Sequence, residues 1–332
     1  MKGGNMKTIK VGMVGCGNFG NFHLTNLLSI PGVEVVAFAT GNREKLLATG
    51  KRVPSARLYP DHKEMLEQEP ELDAIVVSIT PYRHGDLEVM AAKRGVALYI
   101  EKPICVTMEE AERNLAAIEQ AGIITSVGYQ GRYNGEIDKV KKILENHTAG
   151  LVVGKWIYSV PDLPWWRTRA KSGGQLVEQC THVFDLFRYL FGEPASIYTV
   201  GCKGLNPPQP EADTEDCSYS TVAFKNGQMA AILAGCYLDT TKAVGDIGFD
   251  IYLEDSKIEY GFFTGVKYID QSGTREVPFE PVYHKLAMEA FVSAVRDHDQ
   301  SQIKSSYADA VKTLAFTLAA NRSLETGTLV QL

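Results

Sequence analysis

In the first third of the chain, short apolar runs rich in β-branched residues alternate with stretches whose apolar positions recur every three or four residues. That is the pattern of strands joined by helices. Ile9–Val14, Val33–Ala39, Ala74–Ile79, Leu98–Ile100 and Thr125–Gly128 are the predicted strands, with helices near Phe19–Leu28, Arg43–Leu47, Gly85–Lys93 and Met108–Gln120. The strands are apolar throughout instead of alternating, as in a parallel sheet with helices on both faces. After Val127 the pattern changes. A Pro/Trp-rich loop leads into one helix over GQLVEQCTHVFDLFRYLF, and strand-like runs separated by turns follow from Ile197 to Phe279. Helical spacing returns in Tyr283–Asp297 and in Ser306–Asn321, where Tyr307, Val311, Leu314 and Leu318 form one stripe. This order predicts an α/β domain over residues 1–127 and an α+β domain with a largely antiparallel open sheet over residues 128–332.

Composition narrows the classes of function. The chain has 332 residues, with 34 Lys and Arg against 40 Asp and Glu, and no basic stripe, so a nucleic-acid partner is not expected. No apolar run approaches the ~20 residues of a membrane helix. The amino terminus, MKGGNMKTIK, has no apolar signal core, and Met6 is a candidate natural start. A cytoplasmic protein without a membrane partner is therefore expected. The six cysteines form no C-x-x-C pair, so neither a zinc ribbon nor a redox dithiol motif is predicted, and they read as small reduced residues.

Gly15-Cys16-Gly17-Asn18-Phe19-Gly20 is a G-x-G-x-x-G run between the first predicted strand and the first helix. In that context Gly15 allows the tight turn, Gly17 the close approach of a pyrophosphate, and Gly20 the helix–strand contact. The second strand runs into Thr40-Gly41-Asn42-Arg43, with Lys45 close behind and no acid at the tip. A hydroxyl, an amide and nearby cations suit a 2′-phosphate better than a bare ribose; equally, the cations would be a solvated helix start. Glu101-Lys102-Pro103 follows the fourth predicted strand at the carboxyl edge of the sheet. A lysine there can stabilise a developing alkoxide, unless it is an ordinary surface residue. Glu178, His182 and Asp185 are spaced to share one helix face, where a carboxylate beside an imidazole makes His182 a candidate acid–base. A metal face and a hydrogen-bonded core histidine compete with that reading. No second ligand cluster accompanies it, so no metal is assigned. Trp165, Trp166 and Arg167 precede this helix, either as a sugar-stacking loop or as packing anchors.

Together these residues resemble the Gfo/Idh/MocA oxidoreductase family. The resemblance runs through Thr80-Pro81, His84, Glu101-Lys102-Pro103, Gly128-Tyr129-Gln130, the Gly173–Asp185 segment and the terminal Tyr283-His284 … Asn321-Arg322-Ser323. It implies that Gly15–Gly20 holds the pyrophosphate of NAD or NADP. Thr80, Pro81, His84, Glu101, Lys102 and Gln130 would also lie at the cofactor. Lys102 and His182 would flank the reacting carbon, with Glu178 where the family has Asp. Thr40 replaces the ribose-binding acid, which favours NADP, and the stretch from Pro81 to His84 is one residue short. The implied substrate is a secondary alcohol or carbonyl of a sugar, cyclitol or polyol, bound in part by Trp165, Trp166, Arg167 and Asp185. A dihydrodiol, nucleotide-sugar or tetrapyrrole reductase, or a nucleotide-binding sensor without turnover, are the alternatives. Pairing into a homodimer or homotetramer through the second-domain sheet is expected.

Overall fold

A computed structural model describes residues 7–332. The chain divides into two compact units. One holds the segment up to Cys105, Glu109–Gln130 and His284–Val311; the other holds Val106–Met108, Gly131–Tyr283 and Lys312–Leu332. The segment His284–Val311, which the sequence reading left in the second domain, thus belongs with the first. Phe291 packs edge-on against Tyr99 at 5.6 Å, and Tyr307 N–H donates to Thr125 Oγ1 at 3.0 Å. Helical spacing shows that a face is buried; it does not show which sheet buries it.

The first unit is a six-stranded parallel sheet of β1 (Ile9–Val14), β2 (Val33–Ala39), β3 (Arg57–Tyr59), β4 (Ala74–Val77), β5 (Ala97–Ile100) and β6 (Thr125–Val127). The spatial order is β3-β2-β1-β4-β5-β6. Its helices are α1 (Asn18–Leu28), α2 (Arg43–Gly50), α3 (His62–Gln68), α4 (Leu87–Lys93) and α5 (Met108–Ala121). β3 and α3 are absent from the sequence prediction. Arg57-Leu58-Tyr59 is too short and polar to stand out, and α3 buries only Met65 and Leu66. The signal for α3 lies in its cap, where Asp61 accepts from the N–H groups of Lys63 and Glu64. Strand order reverses between β1 and β4, so the loops after them diverge and leave a crevice at the carboxyl edge.

The second unit holds helices α6 (Gly135–Leu144), α7 (Arg169–Ser172), α8 (Gln175–Glu178) and α9 (Thr181–Phe191). After them come α10 (Tyr283–Asp297), which belongs to the first unit except for Tyr283, and α11 (Tyr307–Thr326). Its nine-stranded sheet consists of β7 (Ala149–Tyr158), β8 (Pro194–Cys202), β9 (Cys217–Phe224), β10 (Met229–Cys236), β11 (Asp246–Leu253), β12 (Lys257–Gly261), β13 (Gly265–Asp270), β14 (Gly273–Pro278) and β15 (Val330–Gln331). All pairs are antiparallel except β7 with β10. β7 is a further strand that the sequence pattern hides, because Gly150, Gly154 and Lys155 interrupt its alternation. Gly154 is where α9 presses on the sheet: a Cβ there would sit 2.4 Å from Val183 Cγ1. Val183, Phe184 and Phe187 of α9 join Val152, Val222, Phe249 and Ile251 in one core. The sheet's other face exposes Leu151 (67%), Tyr219 (57%) and Met229 (66%).

The single helix predicted over Gln175–Phe191 is broken. Cys180 N–H reaches back to the Gln175 carbonyl at 2.9 Å, a five-residue step that widens the turn between α8 and α9. Glu178 therefore ends one helix, while His182 and Asp185 begin the next, and the three do not share one regular helix face.

Candidate active site

Three glycines shape the loop after β1. Gly15 has φ +103°, and a Cβ on it would lie 2.2 Å from the Ser78 carbonyl oxygen beyond β4. A Cβ on Gly20 would lie 2.1 Å from the Gly15 carbonyl oxygen. Both positions are closed to any side chain. Gly17 is the opposite, since a Cβ there meets nothing within 4 Å. The main chain is thus held tightly on either side of an open approach. Gly17 is also the N-cap of α1, with no side-chain cap and no acid in the first turn. Asn18 and Phe19 are exposed and Cys16 is buried. The first N–H groups of the helix and its positive dipole end remain available to an anion, which is what a pyrophosphate requires.

Two further oxygens fit a dinucleotide. Thr80 Oγ1, just before the turn opened by Pro81, and Gln130 Oε1 are buried without a hydrogen-bond partner. Each can accept from a bound amide or hydroxyl. At the tip of β2, Asn42 caps α2 by accepting from Lys45 N–H at 2.9 Å, and Thr40 Oγ1 accepts from Asn42 N–H at 3.5 Å. Arg43 and Lys45 are exposed, with Glu44 between them. His84 is buried, with Nδ1 2.5 Å from Glu88 Oε1 on α4. Burial opposes its charge, but the Glu88 carboxylate outweighs this and raises its pKa. Its Nε2 is buried without a hydrogen-bond partner.

After β5, Glu101 accepts from His23 Nε2 at 2.7 Å and from the Lys102 N–H at 3.3 Å. Burial pushes the Glu101 carboxyl up, yet the His23 bond and charge, with Lys102 and His284, hold it below the usual range. A Cβ on Gly128 would lie 2.8 Å from Glu101 Oε1, so the start of the loop after β6 also fixes this carboxylate. The Lys102–Pro103 peptide is cis, and Lys102 is half-buried. His284 lies near this group; burial drives its pKa down to about 4. Sequence reasoning missed His23. Its signal was a histidine on the buried stripe of α1, beside Gly20, Leu24 and Leu27.

In the second unit, His182 is 8% exposed and stacks on Trp156 at 5.6 Å with 20° between the rings. Trp156 Nε1 donates to Gln179 Oε1 at 2.7 Å, in the break between α8 and α9. Glu178 Oε2 accepts from Trp166 Nε1 at 2.8 Å. Trp166 is 1% exposed, so it anchors the loop and orients Glu178 instead of offering a face for stacking. Asp185, a candidate substrate contact read more readily as a supporting group, is held by Arg132 through a bidentate pair at 2.6 and 2.8 Å, and Thr313 Oγ1 donates to it at 3.0 Å. Arg167 is half-buried and, with Trp166, Lys203, Glu215, Asp216 and Cys236, lines a cavity of about 250 Å³. Among the described residues no group of three or more His, Cys, Asp or Glu is arranged to hold a metal ion. No helix among them is long and apolar enough to cross a membrane.

Residues 9–129 match the Gfo/Idh/MocA oxidoreductase family, NAD-binding Rossmann fold, and residues 137–259 match the Gfo/Idh/MocA C-terminal domain. The chain belongs to the Gfo/Idh/MocA family. A scyllo-inositol 2-dehydrogenase (NAD(+)) of Bacillus subtilis (strain 168) is 25% identical over 348 residues, covering 98% of this chain and 96% of that one. A myo-inositol 2-dehydrogenase of Thermotoga maritima is 25% identical over 229 residues, 68% of this chain and 67% of that one. A levoglucosan dehydrogenase in complex with NADH has the same fold, with a TM-score of 0.87 at 19% identity over 98% of this chain and 99% of that one. This Gfo/Idh/MocA protein is an NAD(P)-dependent oxidoreductase, and the loop at Gly17 lies within its NAD-binding Rossmann match.

Proposed function

We propose that this oxidoreductase interconverts a secondary alcohol and its ketone on a sugar, cyclitol or related polyol, with Lys102 and His182 acting on one carbon. The observation that carries the reading is the loop at Gly17, open to a pyrophosphate, on the same sheet edge as a lysine whose preceding carboxylate is locked by His23. The named activities of the inositol dehydrogenases support the substrate class.

A bound nicotinamide supplies the hydride acceptor or donor. Gly15–Gly20 and the start of α1 hold the pyrophosphate, and Thr80, Pro81 and Gln130 lie along the same cofactor. In the oxidative direction His182 takes the hydroxyl proton, and Lys102 donates to the same oxygen and stabilises its growing negative charge. Trp156 fixes the imidazole plane by stacking. Glu178, oriented by Trp166, supports the site beside His182. At the β2 tip, Thr40, the Asn42 amide and Arg43 favour a 2′-phosphate, so NADPH is bound at least as well as NADH. The working form is a cytoplasmic dimer or tetramer paired through the sheet face that carries Leu151, Tyr219 and Met229.

The test is a screen of sugars, cyclitols and polyols with each oxidised cofactor, following absorbance of the reduced form. Turnover of at least one polyol is expected. Activity confined to carbonyls of another class would overturn the substrate assignment.

A further inference from the structure

Two thiols in the second unit are not used by this chemistry. Cys202 ends β8, Cys217 begins β9, and the antiparallel register sets them directly opposite each other. Their sulfurs are 3.1 Å apart. Opposed residues of an antiparallel pair have Cα atoms about 4.5–5.5 Å apart, inside the span of roughly 4.4–6.8 Å that a disulfide accepts. The register alone thus meets the main-chain requirement. Cys202 is exposed and Cys217 partly exposed, whereas Cys16, Cys105, Cys180 and Cys236 are buried. An oxidant in solution meets this pair first.

The pair also stands at a defined place. Between the two cysteines runs the loop 203–216, whose Lys203, Asn206, Glu215 and Asp216 line the cavity beside Trp166 and Arg167. The loop is closed at its neck by a set of polar contacts. The Asp216 carboxylate accepts from the N–H groups of Gly204, Leu205 and Asn206 and from the Asn206 amide, and Lys203 Nζ donates to the Asp213 carbonyl at 2.6 Å.

We propose that Cys202 and Cys217 form a reversible intrachain disulfide by exchange with a low-molecular-weight disulfide, fastening the neck of this cavity-lining loop. The exposed Cys202 loses its proton and attacks one sulfur of the reagent, forming a mixed disulfide and releasing one thiolate. Cys217 then loses its proton and attacks the Cys202 sulfur, forming the internal bond and releasing the second thiolate. The two cysteines give up two electrons and two protons, and the reagent's disulfide takes them to become two thiols. Burial, with the neighbouring Cys202, pushes the Cys217 thiol up to about 11. The closing step therefore speeds up as pH rises towards that value, because the thiolate is the nucleophile.

The experiment uses the full chain and oxidised glutathione under native conditions, followed by alkylation of remaining thiols and tryptic digestion. Lys203 is the sole Lys or Arg between the two cysteines, so trypsin leaves Cys202 and Cys217 on separate peptides. The expected product is these two peptides joined and separated again by a reducing agent. Cys217→Ser should instead hold a stable glutathione adduct on Cys202, and Cys202→Ser should give no joined pair. In the oxidised protein, limited trypsin treatment should nick at Lys203 several-fold more slowly, and the nicked halves should stay together until reduced. Recovery of both cysteines as alkylated residues, as two separate adducts, or as links between chains overturns the proposal.

Discussion

At the carboxyl edge of the parallel sheet, the groups offered to a ligand are main-chain N–H groups at α1 and the unpartnered oxygens of Thr80 and Gln130. In the second unit, the acidic groups are already engaged: Asp185 by Arg132 and Thr313, Glu178 by Trp166, Glu215 by Arg169 at 2.7 Å. The first region thus offers shape and open backbone, the second side chains fixed by one another. Backbone N–H groups at a helix start suit a phosphate of any dinucleotide. Stacking on Trp156 holds the His182 ring in one orientation, as a precise substrate contact of the proposed kind requires.

The comparison breaks most visibly at the buried pair. Arg132→Met strands the Asp185 carboxylate and should cost about 3–5 kcal/mol of stability in denaturant unfolding. Arg132→Met with Asp185→Leu should recover much of that loss, because no buried charge is left unpaired. Nucleotide binding by the folded fraction should be unchanged in both variants.

The next effect belongs to the first region. The folded-state pKa of His284 lies near 4, below its ordinary 6.5, because burial disfavours the charged ring. The unfolded chain therefore takes up the proton first as pH falls. This contribution to stability is complete above pH 6.5 and is lost as pH drops towards 4. The loss should be about 3 kcal/mol, and His284→Phe should remove that part of the acid slope while leaving stability at pH 8 close to the parent's.

Smaller effects sharpen the contrast. Gly17→Ala meets no neighbour within 4 Å, so the fold should tolerate it. The methyl group would occupy the proposed pyrophosphate approach, and cofactor Kd should rise about tenfold, or 1.4 kcal/mol, by titration. Thr40→Asp places a negative charge beside the proposed 2′-phosphate site and should move the NADPH-to-NADH preference about tenfold towards NADH, equivalent to losing one charge-assisted bond. An unchanged ratio would mean that the β2 tip does not read the 2′ position.

What was legible in the sequence follows the same division. The glycine spacing marks its own geometry, since Gly15 and Gly20 have no room for a side chain and no other residue type would pass there. β1, β2 and α10 fall where their hydrophobic periods place them, because each buries a continuous face. β3, with three residues, has no period to read. The break at Cys180 was invisible because the apolar pattern continues through it, and only a widened main-chain turn separates Glu178 from His182. The partners of Asp185 were equally hidden: Arg132 and Thr313 lie 53 and 128 residues away in sequence. His23 could have been found, as a polar residue on an apolar helix stripe asks for a buried partner.

The account stands on Lys102 and His182 serving the same chemical step. Single-turnover hydride transfer, followed by absorbance of the reduced cofactor with saturating substrate, tests this directly. Lys102→Met and His182→Ala should each slow the step by about 10²–10⁴-fold, the double variant little more than the slower single one, with cofactor Kd in His182→Ala unchanged. Parent-like rates in both single variants would contradict the account.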